Sequence, residues 1–214
     1  MRPHVTINCA MSADGKIGFV TRTQAKISNE EDFRRVHRLR ASSDAIIVGV
    51  GTVLADDPKL TVKKEYAKGR NPIRVVLDSR GRTPNDAFVL DGMAPTIIVT
   101  NSKCTRAFRN AEVVRCGRRQ VDLLRLLDVL SEKGAKKILV EGGESVIWSF
   151  IHKGLADEMK IFVGSMVLGG KGGPTPAGGL GVTKIEHAIP LKLQKVGRLG
   201  GGILLEYSTK KRKG

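Results

Sequence analysis

Four short runs of almost unbroken Val, Ile and Leu, at residues 44–50, 73–78, 96–100 and 137–141, constrain the fold of this chain more than any other feature. A strand wetted on one face alternates apolar and polar residues. These runs do not alternate, so both their faces are covered, as in the central strands of a parallel sheet. Weaker β-branched runs at 4–8, 111–116, 158–163, 191–199 and 203–207 add further strands. Helical patterns fall between them. Ser28 followed by Glu31 forms a capping box that predicts a helix from Asn29, with Phe33, Val36 and Leu39 inward and Arg34, Arg35 and Arg38 outward. Leu123, Leu126, Leu127 and Leu130 recur at helical spacing over 121–133, and Gly134 stands where a helix-ending glycine belongs. Residues 144–153 place Ile147, Phe150 and Ile151 on one face and stop at Gly154. The C-terminal portion is strand-rich, with Gly200-Gly201-Gly202 as a hairpin loop. The expected class is α/β, with a mainly parallel central sheet and antiparallel C-terminal strands. No repeat or linker divides the chain, so 1–209 is expected to be one domain and 210–214 a basic tail.

A length of 214 residues suits one such domain. No apolar leader is apparent and no run is long enough to span a bilayer. The three cysteines are scattered without a CxxC pair, so free thiols in a cytoplasmic setting are expected. The net charge of +16 admits two readings: a nucleic-acid binder, or a thermophile-like or high-salt surface together with small phosphorylated ligands. Only 4% of residues are aromatic, which leaves few platforms for stacking bases. The cations are spread along the chain apart from Lys210, Lys211, Arg212 and Lys213, which read as a solvated tail. Neither nucleic acid nor membrane is expected as a partner.

Three segments could carry chemistry. In Leu139-Val140-Glu141-Gly142-Gly143-Glu144-Ser145 a buried strand ends, two glycines turn and a helix begins. This is either an anion cradle for a cofactor pyrophosphate or a plain strand-to-helix turn. Gly49, Gly51 and Thr52 follow the second strand, and Asp56-Asp57-Pro58 makes a turn with one functional Asp. The four histidines have no ligand spacing to this acidic pair, so no metal is expected. Ser79-Arg80-Gly81-Arg82 ends a strand with a hydroxyl and two arginines, a pattern that can accommodate a 2′-phosphate. The glycine-rich stretch 169–179 is either a ligand cradle or a mobile crossover. No GxSxG nucleophile elbow is present.

In order along the chain, residues 11–17 (MSADGKI), 39–49 (LRASSDAIIVG), 51–62 (GTVLADDPKLTV), 72–79 (PIRVVLDS) and 139–143 (LVEGG) resemble the reductase of riboflavin biosynthesis. That family comprises the 2,5-diamino-6-ribosylamino-4(3H)-pyrimidinone 5′-phosphate reductases and the reductase half of the bacterial bifunctional deaminase-reductase. With no zinc deaminase half alongside, the stand-alone archaeal or fungal form is expected. The resemblance implies a dihydrofolate-reductase-like three-layer fold, NADPH as hydride donor, a homodimer, and reduction of the ribosylamino side chain to ribitylamino. It also implies cofactor contacts at Thr52, Asp56, Ser79, Gly143, Glu144, Ser145, Val146 and Ile147, and substrate contacts at Arg40, Leu60, Lys63 and Glu141. Arg40 and Lys63 would hold the 5′-phosphate, and Glu141 would meet polar groups at the reacting sugar as the catalytic candidate. Glu141, Asp56 and water remain alternative proton donors. Lys26 stands where the bacterial enzymes often carry Trp. A folate or pterin reductase of the same fold is the alternative.

Overall fold

The computed structural model describes residues 2–209, so the basic tail at 210–214 lies outside the described residues. In chain order the elements are β1 (His4–Ser12), α1 (Glu30–Ala41), β2 (Ala45–Gly49), α2 (Val50–Asp56), β3 (Ile73–Leu77), β4 (Thr96–Thr100), β5 (Glu112–Arg115), α3 (Leu123–Glu132), β6 (Lys137–Gly142), α4 (Glu144–His152), β7 (Glu158–Gly164), β8 (Leu191–Leu199) and β9 (Gly202–Thr209). The nine strands form a mixed sheet, mostly parallel, with antiparallel C-terminal strands. Residues pack into two compact units, neither continuous in sequence: 2–4 with Val36–Val140, and Val5–Arg35 with 141–209.

In the first unit the strand order is β5-β4-β3-β2-β6. β2, β3, β4 and β5 run parallel, with Ile47 beside Val75 and Val75 beside Ile97. Every residue of β2 and of β4 is buried, which is why those runs lack alternation. Ile46, Val48, Val76, Ile98 and Leu139 share one core cluster with Val53 and Leu60. Asp44 fastens the start of this sheet: its Oδ2 accepts the Lys136 and Lys137 N–H groups at 2.8 and 2.9 Å. Burial works to raise the Asp44 carboxyl, but those two N–H groups, and then Arg70, outweigh it and hold it below the usual carboxylate range. β3 also carries a buried charge. The fully buried Arg74 donates to Thr96 Oγ1, to the carbonyls of Lys59, Phe88 and Ala94, and to Asp91 Oδ1 at 2.8 Å.

Helix α2 is absent from the sequence reading. It follows β2 without a gap, spans seven residues and buries only Val50 and Val53. So short a helix leaves no readable period, and Gly51 disguises it further. Asp57, left-handed at φ 39°, ends it.

In the second unit the order is β1-β7-β9-β8. β1 and β7 are parallel, whereas β9 pairs antiparallel with both β7 and β8. Directly opposed residues share a face. One face therefore carries Met159, Tyr207 and Leu193, then Ile161, Leu205 and Val196, then Val163, Ile203 and Arg198. A bulge at Gln194 keeps Val196 on that face. The hairpin turn is Gly200-Gly201 alone. Gly202 belongs to β9, where an added Cβ would lie 2.4 Å from the Phe162 ring.

The first helix starts one residue later than the capping box implies. Asn29 is the cap, its Oδ1 accepting the Asp32 N–H at 2.9 Å, while the Ser28 hydroxyl donates instead to Asp32 Oδ2 at 2.6 Å. The inward face differs too. Phe33 is 41% exposed. Arg35 turns inward, bonding Asp32 Oδ1 and Asn8 Oδ1 at 2.8 and 2.7 Å. A buried carboxylate on the same turn draws in the guanidinium, which apolar periodicity cannot signal. In this setting burial pushes the Cys9 thiol up to about 12, with Arg35 opposing and Asp32 adding to the shift.

Candidate active site

Candidate residues occur in both units. In the first, α1 and the segment after α2 carry three of the four expected substrate contacts, Arg40, Leu60 and Lys63. Arg40 Nη1 donates to the Thr61 carbonyl at 3.2 Å, and the Lys63 N–H donates to His37 Nδ1 at 3.1 Å. His37 and Arg40 are three residues apart on one helix face, so α1 grips residues 61–63 at two points. The Lys63 ammonium lies 5.4 Å from the centre of the Tyr66 ring and 3.8 Å from Glu65 Oε1. Two cations, one half-buried and one exposed, thus stand on neighbouring segments, a donor set suited to a phosphate. Leu60 adopts a positive φ of 52°, and its side chain is buried in the core. Its outward-facing chemistry is therefore main-chain. In the sequence His37 is marked only by its place one helical turn before Arg40.

Thr52 and Asp56 are both half-buried and lie one turn apart on α2, at the carboxyl end of β2. Ser79 sits beyond the end of β3, its carbonyl accepting the Asn101 N–H at 3.1 Å. The preceding Asp78 is fully buried and organises this turn: its Oδ2 accepts both the N–H and the hydroxyl of Thr83, at 2.7 and 2.8 Å. Arg80 and Arg82 are left exposed on it.

In the second unit the Glu141-Gly142-Gly143 turn leads from β6 into α4. Gly142 has φ 121°, a conformation open only to glycine, and the Gly142–Gly143 peptide is cis. Gly143 caps α4 without a side-chain hydrogen bond, while its carbonyl accepts from Val146 and Ile147. The first turn of α4 thus has no side-chain cap, and uncapped first-turn N–H groups are the arrangement that binds anions. The Glu144 side chain is committed elsewhere. It accepts from Arg22 at 2.9 Å and from the Thr175 N–H at 3.3 Å. What α4 offers a ligand is therefore its main chain from Gly143 onward. Among the described residues, no group of three or more His, Cys, Asp and Glu side chains is gathered as a metal site requires, and no helix is long and apolar enough to cross a membrane.

Residues 3–205 match the family model for the RibD C-terminal domain. The chain belongs to the RibD C-terminal domain family. Within that family it is 44% identical to the 2,5-diamino-6-ribosylamino-4(3H)-pyrimidinone 5′-phosphate reductase of Methanothermobacter thermautotrophicus, across 98% of this chain and 100% of that one. It is 42% identical to the Archaeoglobus fulgidus protein of the same name, across 94% and 96%. Among solved structures it resembles the Thermotoga maritima diaminohydroxyphosphoribosylaminopyrimidine deaminase/5-amino-6-(5-phosphoribosylamino)uracil reductase, with 28% identity and a TM-score of 0.84. That match covers 98% of this chain and 57% of the longer one. The Saccharomyces cerevisiae Riboflavin Biosynthesis Reductase Rib7, 22% identical with a TM-score of 0.76, shares the fold. The architecture is thus the dihydrofolate-reductase-like one of RibD reductase domains.

Proposed function

We infer that this chain is an NADPH-dependent reductase that converts the ribosylamino side chain of 2,5-diamino-6-ribosylamino-4(3H)-pyrimidinone 5′-phosphate to ribitylamino, a cytoplasmic step of riboflavin biosynthesis. The observation that carries this reading is 44% identity along the whole length of a relative bearing that name. The first turn of α4 fits the cofactor, because a glycine cap and first-turn N–H groups without a side-chain cap suit a pyrophosphate. Gly143, Glu144, Ser145, Val146 and Ile147 would hold it through the main chain, together with Thr52, Asp56 and Ser79. Exposed Arg80 and Arg82 supply cations for a 2′-phosphate, which favours NADPH over NADH. When bound, NADPH supplies the hydride. The protein contributes positioning and electrostatics. Arg40 and Lys63 hold the substrate 5′-phosphate, with the Leu60 main chain alongside. Glu141 would hydrogen-bond the sugar being reduced and is one candidate proton donor, with Asp56 and water as the alternatives.

A homodimer belongs to this reading. The β7–β9–β8 face leaves Leu193 51%, Val196 55% and Ile203 45% exposed on one side, an apolar area that a second copy would cover. The enzymatic reading is tested by NADPH oxidation with the phosphorylated and the dephosphorylated pyrimidine. Turnover of the phosphorylated compound alone supports it. Turnover of a folate or pterin instead, or salt-sensitive nucleic-acid binding without oxidation, overturns it.

A further inference from the structure

Residues 168–179 lie against α4 and are fastened at both ends by carboxylates. At one end Asp14 Oδ1 accepts the Leu168 N–H at 3.0 Å and Oδ2 accepts the Gly169 N–H at 2.7 Å. Asp14 is itself fixed by the Ser12 hydroxyl at 2.6 Å, and Ser12 Oγ accepts the Lys16 N–H at 3.0 Å. At the other end Glu144 accepts the Thr175 N–H through Oε2 and the Gly178 N–H through its main-chain carbonyl, at 3.3 and 3.2 Å, while Arg22 holds Oε1. Between the ends, the Pro174 carbonyl accepts the Ile17 N–H at 2.9 Å.

The contact is close enough that a side chain at several of its glycines would displace a neighbour. An added Cβ would lie 2.3 Å from Val20 at Gly170, 2.8 Å from the Glu144 carboxyl at Gly178, and 2.2 Å from the Trp148 indole at Gly179. Glycine loses more conformational freedom on ordering than any other residue, so such a segment stays down only if something holds it. Hydrogen bonds to ionised acceptors are the stronger kind, and each of the two carboxylates accepts at least one main-chain N–H of this one segment.

We propose that Asp14 and Glu144 are positioning residues that latch residues 168–179 as a strap across α4, and that release of this strap limits how fast NADPH leaves the enzyme. The gating half rests on the reading of the α4 first turn as the cofactor site. The latch itself does not.

Trp148, the single tryptophan, lies beneath Gly179 and reports the strap directly. The experiment compares the full-length wild type with Asp14→Ala and with Glu144→Ala. Trp148 emission and acrylamide quenching are recorded without cofactor, and NADPH dissociation is followed by stopped flow. Each variant is expected to red-shift the emission, to raise quenching and to speed NADPH release about tenfold, the scale of one lost charge-assisted hydrogen bond. For Asp14→Ala, the KM for NADPH should rise while the KM for the pyrimidine phosphate stays unchanged. Wild-type emission and quenching in both variants would overturn the latch. Altered emission with wild-type NADPH release would overturn the gating. A wild type that binds no NADPH would instead remove the cofactor reading, with the fluorescence comparison still deciding the latch. The two variants act at opposite ends of the strap, so if one fails to fold the other decides.

Discussion

The Nδ1 atom of His37 accepts the main-chain N–H of Lys63 at 3.1 Å, and this bond fixes where the cation proposed to hold the substrate phosphate begins. His37 is 3% exposed, so its loss would strand that N–H against a buried gap. His37→Ala is expected to cost about 1–3 kcal/mol of stability. It should also raise the KM for the phosphorylated pyrimidine more than it lowers kcat. Steady-state kinetics with urea unfolding checks both. A KM equal to wild type would show that residues 61–63 hold their place without the histidine.

Arg74 satisfies three carbonyls, a hydroxyl and the Asp91 carboxylate from inside β3. An apolar replacement of similar length removes every guanidinium bond, leaving Asp91 Oδ1 only the Met93 N–H and the Phe88 carbonyl only the Asp91 N–H. Arg74→Met should destabilise the fold by roughly 3–5 kcal/mol, the scale of breaking a buried ion pair. Chemical denaturation measures it, and a loss under about 1 kcal/mol would mean that water replaces the guanidinium.

Glu141 lies on β6 rather than on α4, so in the proposed assignment its chemistry separates from cofactor binding. Glu141→Gln keeps the shape and removes the charge and the proton. Turnover is expected to fall about a hundredfold, with NADPH affinity unchanged. Single-turnover kinetics alongside an NADPH titration tests this, and full turnover would take Glu141 out of the mechanism.

The Asp14 carboxyl is held at about 2 by the Ser12 hydroxyl first and then by the Leu168 N–H. Its ordinary value is 3.8. The folded value is the lower one, so the stability it lends is complete above the ordinary value and is lost as pH falls through about 2. Carboxyl carbon NMR should show that midpoint in the wild type and a higher one in Ser12→Ala. A wild-type midpoint at the ordinary value would mean the Ser12–Asp14 bond does not persist in solution.

Leu193 and Val196 lie on one face of the exposed edge strand β8. If a second copy covers that face, Leu193→Asp with Val196→Asp should convert a dimer to a monomer in sedimentation velocity. The same sedimentation coefficient before and after would place the contact elsewhere.

Long uniform patterns survived translation from sequence to structure. β2, β3, β4 and β6 lie within a residue or two of the apolar runs that announced them, because burial on both faces leaves no other residues usable there. α3 was equally legible, with Leu123, Leu126, Leu127 and Leu130 all buried. α2 was not, because seven residues hold too few turns to show a period. The inward turn of Arg35 was hidden as well, since an ion pair formed in the interior looks like two surface residues in the sequence.

The sequence by itself determined the sheet, the glycine turn at 142–143 and the family, because each rests on residue types at short fixed spacing. Only the tertiary structure decided what individual polar side chains do. Arg40 and Lys63 come together because α1 grips residues 61–63. Glu144, expected at the cofactor, spends its carboxylate on Arg22 and Thr175, and the glycine-rich stretch is a fastened segment. Those assignments depend on partners up to 155 residues apart, as Asp14 and Gly169 are. A local pattern carries no record of which distant N–H group will reach a given carboxylate.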